Sequence, residues 1–262
     1  MDATSGIQVL ITSHNCAEYL EDCLDSIEVA LSGYKWQMIF CDDVSTDNTH
    51  TILSEYSGTT SADNLHYHYY PERASTIGIA KNRTCFHSLD YKDDYPVLCF
   101  MDADDEMGEK RISGLMPALS DDQPFVFGDY AIVYNQNGQW SMASGVEHGT
   151  GINGEVFNGI VTTSMREDHL AFGHWCTLIH SELIPSGGIF FREDVLNFDD
   201  TLTWWGLKYS GNVPITPVSG FVTNYYKCSR PNALSSQEST NNDEILSGIF
   251  ELKNAIHPIP GF

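Results

Sequence analysis

Along the first hundred residues the apolar positions switch repeatedly between the period of a strand and that of a helix. Ile7-Gln8-Val9-Leu10-Ile11 reads as a strand, and Leu20, Leu24, Ile27 and Leu31 then recur on one face of a helix from about Ala17 to Leu31. Trp36 to Cys41 is a second strand. Ser45-Thr46-Asp47-Asn48-Thr49 is dense in residues that cap helix N-termini, and predicts a helix through Ile52, Leu53 and Tyr56. Leu65 to Tyr70, with alternating His and Tyr, is a third strand, and a helix from about Ile79 to Leu89 follows. Pro96-Val97-Leu98-Cys99-Phe100-Met101 is apolar throughout, as a strand buried on both faces is, and stops at acids. Strand and helix alternating at this spacing predict a mostly parallel sheet with right-handed crossovers, an α/β fold.

The second half is less regular. Phe125-Val126-Phe127 and Ala131-Ile132-Val133-Tyr134 read as strands flanking a turn, and Asn135-Gln136-Asn137-Gly138 as a hairpin connection. Glycines crowd 145–173, as loops around a cleft would require. A short apolar helix is expected near Leu178 to Leu183, and a helix from Asp199 to Tyr209 carries Trp204 and Trp205. Phe221 to Lys227 is a late strand, and Asp243 to Ala255 a final amphipathic helix. With 262 residues the chain has ample material for one core, so a single domain over 1–262 is expected, about 1–110 regular and about 111–262 irregular.

Charge narrows the partners. The chain carries 13 Lys and Arg against 36 Asp and Glu, a formal net charge of −23. Nucleic acids and anionic lipid surfaces reward basic patches, so neither is an expected partner. The seven cysteines are odd in number and scattered, with no C-x-x-C pair, which is the usage of reduced core thiols. No apolar segment approaches the roughly 20 residues that span a bilayer, and no signal-peptide pattern opens the chain. The expectation is a cytoplasmic protein without a transmembrane segment.

Within that acidic background Asp102-Ala103-Asp104-Asp105 stands out, because three carboxylates emerge where a buried strand ends. Like charges so close raise one another's pKa unless a cation lies among them. Mg²⁺ and Mn²⁺ take one or two carboxylates together with substrate phosphates, so the cluster suggests a metal-bridged diphosphate. Asp102, Asp104 and Asp105 are the candidate ligands, and a solvated acidic turn is the plain alternative. Two further strand ends are polar, Thr12-Ser13-His14-Asn15 and Asp42-Asp43. In a parallel sheet such ends share the edge where ligands bind.

Taken with Ile77-Gly78-Ile79-Ala80-Lys81-Asn82-Arg83, these segments occur in an order and spacing that resembles the family-2 glycosyltransferases of the GT-A fold. The resemblance covers about the first 110 residues and makes them a nucleotide-sugar-binding half, with the rest binding the acceptor. It implies a nucleoside-diphosphate sugar donor, UDP-sugar favoured, a Mn²⁺ or Mg²⁺ cofactor, and a glycan, lipid-linked or protein acceptor. By the same resemblance Thr12, His14 and Asn15 border the nucleoside and Asp43 accepts from the base. Lys81 faces the diphosphate, Asp104 contacts ribose or metal, and Asp102 or Asp105 helps hold the cation. His14 stands where Tyr is commoner. A solvated helix face is the alternative for Lys81 and Asn82.

Farther on, Asn197-Phe198-Asp199-Asp200-Thr201-Leu202-Thr203-Trp204-Trp205 resembles the family's acidic pair before an aromatic helix. That makes Asp200 the general base of an inverting transfer, with Asp199 free to cap the helix. Glu193-Asp194 is a rival pair lacking the aromatic helix. Tyr225-Tyr226-Lys227-Cys228-Ser229-Arg230 resembles a tail motif in which Ser229 or Arg230 stands where His is usual, and Arg230 would reach phosphate by charge-assisted bonds. His174, Trp175, Asp199 and Trp204 join Arg230 as acceptor-side candidates, the aromatic faces serving to stack on sugar, with ordinary core packing the alternative for at least one tryptophan. The Q-x-x-R-W signature of processive enzymes is absent, which favours addition of a single sugar.

Two rivals remain open at this point. A sugar-nucleotide nucleotidyltransferase would share the sheet but needs a glycine-rich loop after the first strand, where Thr12-Ser13-His14-Asn15-Cys16 has none. A degenerate fold that only binds sugar would lose a metal or base residue. An EF-hand fails on its glycine and glutamate positions, filled here by Met107 and Ser113.

Overall fold

The computed structural model describes residues 5–57, 64–136, 139–142, 146–148, 155–157, 160–161, 172–195 and 199–228. Arg230, Asn197-Phe198, Asn137-Gly138 and the helix expected at 243–255 lie outside the described residues.

The first half folds as its periodicity dictates. In chain order it runs β1 (Ile7–Ser13), α1 (Ala17–Ala30), β2 (Trp36–Asp43), α2 (Thr49–Tyr56), β3 (Leu65–Tyr70), α3 (Ile77–Ser88) and β4 (Val97–Asp102). A short strand β5 (Glu106–Met107) and helix α4 (Arg111–Leu115) follow. The remaining elements are β6 (Phe125–Gln136), β7 (Gln139–Met142), β8 (Val146–His148), β9 (Glu155–Phe157), β10 (Ile160–Val161), β11 (Thr177–His180), α5 (Asp199–Trp205) and β12 (Ile215–Cys228).

Among the described residues all twelve strands join one mixed sheet, ordered β3-β2-β1-β4-β11-β6-β10-β9-β8, with β7 and β12 also on β6 and β5 on β12. β3, β2, β1 and β4 are parallel, and β11 enters antiparallel between β4 and β6. Register aligns the strand ends. Thr12 lies opposite Asp102, Ser13 opposite Asp42, and Asp43 opposite Tyr70. The polar termini of three strands therefore share one edge.

Alternation along these strands divides the core in two. Ile7, Val9, Ile11, Val97, Cys99 and Met101 pack with Leu20, Leu24 and Ile27 of α1. Leu10, Leu98 and Phe100 point the other way and meet Cys85 of α3 and Trp204 of α5. Helices thus cover both faces, which is why β1 and β4 are apolar at nearly every position. Cys23, Cys41, Cys85 and Cys99 are buried in these layers, and burial pushes the Cys41 thiol up to about 12.

Two expectations in the second half need correction. Phe125 to Tyr134 holds no turn, because β6 runs straight through Gly128-Asp129. That glycine serves close packing instead: a β-carbon there would overlap the Thr223 methyl, and the Asp129 carbonyl accepts from Thr223 Oγ1 at 2.7 Å. The stretch 178–183 is a strand followed by a single 3-10 turn, not a helix. Thr177, Leu178 and Ile179 are buried between neighbouring strands, and so short an apolar run has no periodicity to separate the two states. β6 and β7 do pair as a hairpin, with Gln136 opposite Gln139.

The β3 edge carries the alternating histidines. His68 stacks on His87 at 3.6 Å between centroids, His87 Nε2 pairs with the Tyr70 hydroxyl at 2.9 Å, and His66 Nδ1 with the Tyr91 hydroxyl at 3.2 Å. Burial pulls all three imidazoles below the ordinary value, and mutual repulsion with His87 and His66 adds to this for His68. Groups with depressed folded values give stability that is present above the unfolded pKa of about 6.5 and is lost as pH falls through the folded values. The melting temperature should therefore drop between about pH 7 and about pH 5, and less steeply in His68→Phe, which keeps the stack without its charge. Parallel slopes in the two proteins would contradict this.

Candidate functional site

Turns at the C-terminal edge of β1 and β2 lock together. His14 Nδ1 meets the Asp43 carbonyl at 2.7 Å, so that nitrogen carries the proton and Nε2 accepts from Asn15 Nδ2 at 3.1 Å. Asn15 Oδ1 accepts from the Thr46 amide at 2.7 Å, and the Asn15 amide donates to Ser45 Oγ at 2.9 Å. Asp47 accepts from the Ala17 and Thr49 amides, holding the starts of α1 and α2 on the same knot. Asn15 and Val44 both have positive φ, 53° and 59°. For Asn the left-handed region is tolerated, whereas for β-branched Val44 it is strained and is held by these surrounding contacts.

Asp43 is almost buried and pinned by cations. Its Oδ1 accepts from Arg83 Nη1 at 2.6 Å and the Ala74 amide at 2.9 Å, while Oδ2 lies 3.0 Å from Arg73 Nη1. Neither arginine was singled out as a site residue from the sequence. A signal existed: residues two apart on a helix point to nearly opposite sides, so Lys81 and Arg83 cannot both face one ligand. Arg83 turns toward β2, stacking on Tyr70 on the way.

Lys81 turns inward, and its expected place against a diphosphate needs correcting. Its ammonium is buried, 2.9 Å from Asp199 Oδ2 and 5.1 Å above the Phe191 ring. Asn82 is buried as well, so the solvated-face alternative fails too. Its Oδ1 accepts from the Phe190 and Phe191 amides at 2.9 and 2.7 Å, and its Nδ2 donates to Phe191 O and to Glu193 Oε1. The rival acids Glu193 and Asp194 are thereby engaged by Asn82 and Arg192. Gly78 permits this docking of α3, since a β-carbon there would overlap the Arg192 carbonyl oxygen.

The three acids after β4 are not equivalent. Asp102 and Asp104 are half-buried and Asp105 fully buried. Asp105 Oδ1 accepts from the Lys227 amide at 3.0 Å and Oδ2 from Asn224 Nδ2 at 3.2 Å, which fastens the turn to β12. Asp105 is thus placed as an anchor of the turn, and the partly exposed carboxyls are those of Asp102 and Asp104.

α5 brings its first two residues to the same place. Asp200 Oδ2 accepts from the His174 amide at 3.3 Å, and Oδ1 from the Thr201 amide at 2.7 Å. The His174 ring lies between the two motifs, Nε2 3.1 Å from Asp102 Oδ1 and Nδ1 3.6 Å from Asp200 Oδ2. Burial and Lys81 oppose charging that ring, but carboxylates facing both nitrogens prevail and raise its pKa. Burial would raise the Asp200 carboxyl, yet His174, Lys81 and the Thr201 amide hold it below the usual range. Burial pushes its neighbour Asp199 up, with the Asp200 charge adding to this, despite the Lys81 pairing. Burial likewise disfavours the Lys81 cation, but Asp199, Asp200 and Asp102 together keep it charged. Lys81→Met should cost about 3 kcal/mol in urea unfolding, at the low end for a broken buried pair because Asp199 can take up a proton. A loss within about 0.5 kcal/mol, the scale of an unremarkable surface change, would contradict that.

The expected stacking platforms also need correction. Trp204 is wholly buried among Phe125, Phe172, Phe190 and Phe191, with Nε1 donating to Phe172 O at 3.0 Å. Trp175 is 8% exposed, with Tyr226 stacked at 5.2 Å and Tyr130 edge-on at 4.5 Å. Both are core residues. Among the described residues no group of three or more His, Cys, Asp or Glu is preassembled as a metal site, and no helix is long and apolar enough to cross a membrane.

Residues 8–187 match Glycosyl transferase family 2. The chain belongs to this family. The glycosyltransferase TuaG of Bacillus subtilis (strain 168), named for teichuronic acid biosynthesis, is 28% identical over 106 residues, 40% of this chain and 38% of TuaG. In fold the chain resembles S. aureus TarS 1-349 in complex with UDP-GlcNAc, with TM-score 0.62, 16% identity, and coverage of 95% of this chain and 66% of that one. It also resembles the mannosyltransferase PcManGT from Pyrobaculum calidifontis in complex with GDP-Man and Mn²⁺, with TM-score 0.58, 17% identity, and coverage of 98% and 66%. The family-2 chain described here therefore spans about two fifths of TuaG and about two thirds of each solved chain. Its sheet, parallel over β3, β2, β1 and β4 and flanked by helices, is that of the GT-A glycosyltransferases.

Proposed function

We propose that this family-2 chain transfers a single sugar, with inversion, from a nucleoside-diphosphate sugar to an acceptor hydroxyl, with Asp200 as general base and Mn²⁺ or Mg²⁺ as cofactor. One observation carries the reading: Asp200 and the half-buried Asp102 at the end of β4 stand on either side of a single imidazole. This supports a single site for the proposed base and donor motif, although 98 residues separate them (200 − 102). UDP is the favoured nucleotide; the UDP-GlcNAc bound by TarS and the GDP-Man bound by PcManGT bracket the donor class.

The donor set fits a hard cation. Asp102 and Asp104 offer carboxylate oxygens at the strand edge, and Asp105, engaged by Asn224 and Lys227, keeps the turn in place for them. When bound, the cation would neutralise charge on the departing diphosphate. Asp43 and the β1 turn with Thr12, His14 and Asn15 would receive the nucleoside. Asp200 would take the proton of the acceptor hydroxyl as its oxygen bonds to the anomeric carbon. The bond from that carbon to the phosphate oxygen breaks on the opposite face, and the nucleoside diphosphate leaves with the electron pair.

Incubation with UDP-GlcNAc, other UDP-hexoses and GDP-Man, with and without Mn²⁺, tests this by the release of nucleoside diphosphate and the anomeric configuration of the product. Metal-dependent release with inversion is expected. Binding of a nucleotide without release from any donor would favour the degenerate binding module, and a retained anomer would remove the inverting mechanism.

A further inference from the structure

His174 was grouped on sequence grounds with residues that touch the acceptor. Its surroundings say otherwise. The ring is 4% exposed, so no acceptor face is offered. Phe100 and Phe191 meet it edge to face, at 6.1 and 5.9 Å between centroids, which fixes the plane of the imidazole. The backbone is fixed as well, because Thr177 Oγ1 donates to the His174 carbonyl at 2.7 Å. β11 begins immediately after this turn and pairs antiparallel with β4, so the chain delivers residue 174 to the end of β4 where Asp102 lies. Within reach of the ring nitrogens are two carboxylates from different parts of the chain. Nε2 is 3.1 Å from Asp102, Nδ1 is 3.6 Å from Asp200, and the backbone amide donates to the same Asp200 oxygen at 3.3 Å. Nδ1 is buried, and in this geometry it lies just beyond hydrogen-bond distance of its carboxylate.

We infer that His174 is a positioning residue: it ties the base Asp200 to Asp102 of the donor turn and so sets the line between acceptor and leaving group. The inference rests on the proposed transfer reaction for its catalytic meaning, though not for the tie itself. The physical need is clear. Asp200 sits on a helix of seven residues that follows the segment 196–198, and Asp102 sits on the central sheet. An in-line displacement requires these two supports to keep one spacing, and an error of about 1 Å costs on the order of 100-fold in rate. A rigid ring held by two phenylalanines, with a nitrogen facing each carboxylate, supplies that spacing. Lys81 cannot, because its ammonium is held by Asp199.

The test is a double-mutant cycle on the full chain, comparing wild type, His174→Phe, Asp200→Asn and the double variant. Urea unfolding needs no substrate. The two substitutions are expected to couple by about tenfold in the unfolding equilibrium constant, whereas strictly additive effects would overturn the tie. Turnover of whichever donor the wild type uses gives the second arm. His174→Phe should lower kcat by about 100-fold with donor KM unchanged, yet change turnover less than about twofold in the Asp200→Asn background. His174→Asn, whose amide reaches the Nδ1 position and so keeps only the Asp200 side of the tie, should recover part of the rate. Equal losses in Phe and Asn variants, or a full loss persisting in Asp200→Asn, would overturn positioning through the base. If the wild type releases nothing from any donor, the transfer reading fails by itself, and the unfolding cycle alone decides whether the tie is real.

Discussion

Asp200→Asn should lose two to four orders of magnitude in kcat while binding UDP and Mn²⁺ as wild type does, because a positioned general base contributes about 10²–10⁴-fold. The substitution is nearly isosteric. An amide oxygen still accepts from the Thr201 amide, the shortest hydrogen bond Asp200 makes, so α5 keeps its start. What disappears is the capacity to take a proton. The same carboxyl has its pKa held down in the fold, so the stability it gives is present at neutral pH and lost as pH falls through the folded value. Asp200→Asn should therefore show a shallower loss of stability in acid below about pH 4, the ordinary carboxylate value. Single-turnover release of nucleoside diphosphate, with binding measured separately by calorimetry, separates lost chemistry from lost binding. Unchanged turnover would remove Asp200 from the mechanism.

Asp104→Ala should act at the opposite step, abolishing metal-dependent nucleotide binding. The loss should exceed about 100-fold, because removing a direct ligand costs more than the ten- to hundredfold of an outer-shell partner. The fold should tolerate the change: Asp104 lies half-open at the strand edge, and the turn is held by its neighbour Asp105 through Asn224 and the Lys227 amide. Asp105→Ala makes the contrast. It strands Asn224 inside the protein and should register first as lost stability, with weakened nucleotide binding a consequence. Calorimetric titration of UDP at fixed Mn²⁺ measures both variants, and binding by Asp104→Ala at wild-type strength would exclude it from the metal site.

The first half was legible because its signals are local. Strand and helix periods, the cap-rich run at 45–49 and acids where β4 ends each specify their own element, and parallel register then aligns Thr12, Asp42 and Asp102 without further information. What escaped the sequence was direction. Lys81 and Arg83 stand two apart in one segment, but helical geometry sends the first to Asp199 and the second to Asp43. Burial was equally hidden at Trp204 and Trp175, since an aromatic that lines a sugar site and one that fills a core look alike in one dimension. In β6 the Gly128-Asp129 pair mimics a turn, yet serves the crossing of Thr223. His174 was legible only as a polar aromatic. Its partners lie 72 positions before and 26 after it, a pairing that only the topology creates.

The central claim, a metal-held diphosphate at the edge of β4, is tested most directly by thermal denaturation with UDP and with GDP, each with and without Mn²⁺, in wild type and Asp104→Ala. The account expects one nucleotide to raise the melting temperature of the wild type only when metal is present, and Asp104→Ala to show no shift. A rise of equal size without metal, or one retained in Asp104→Ala, would contradict it.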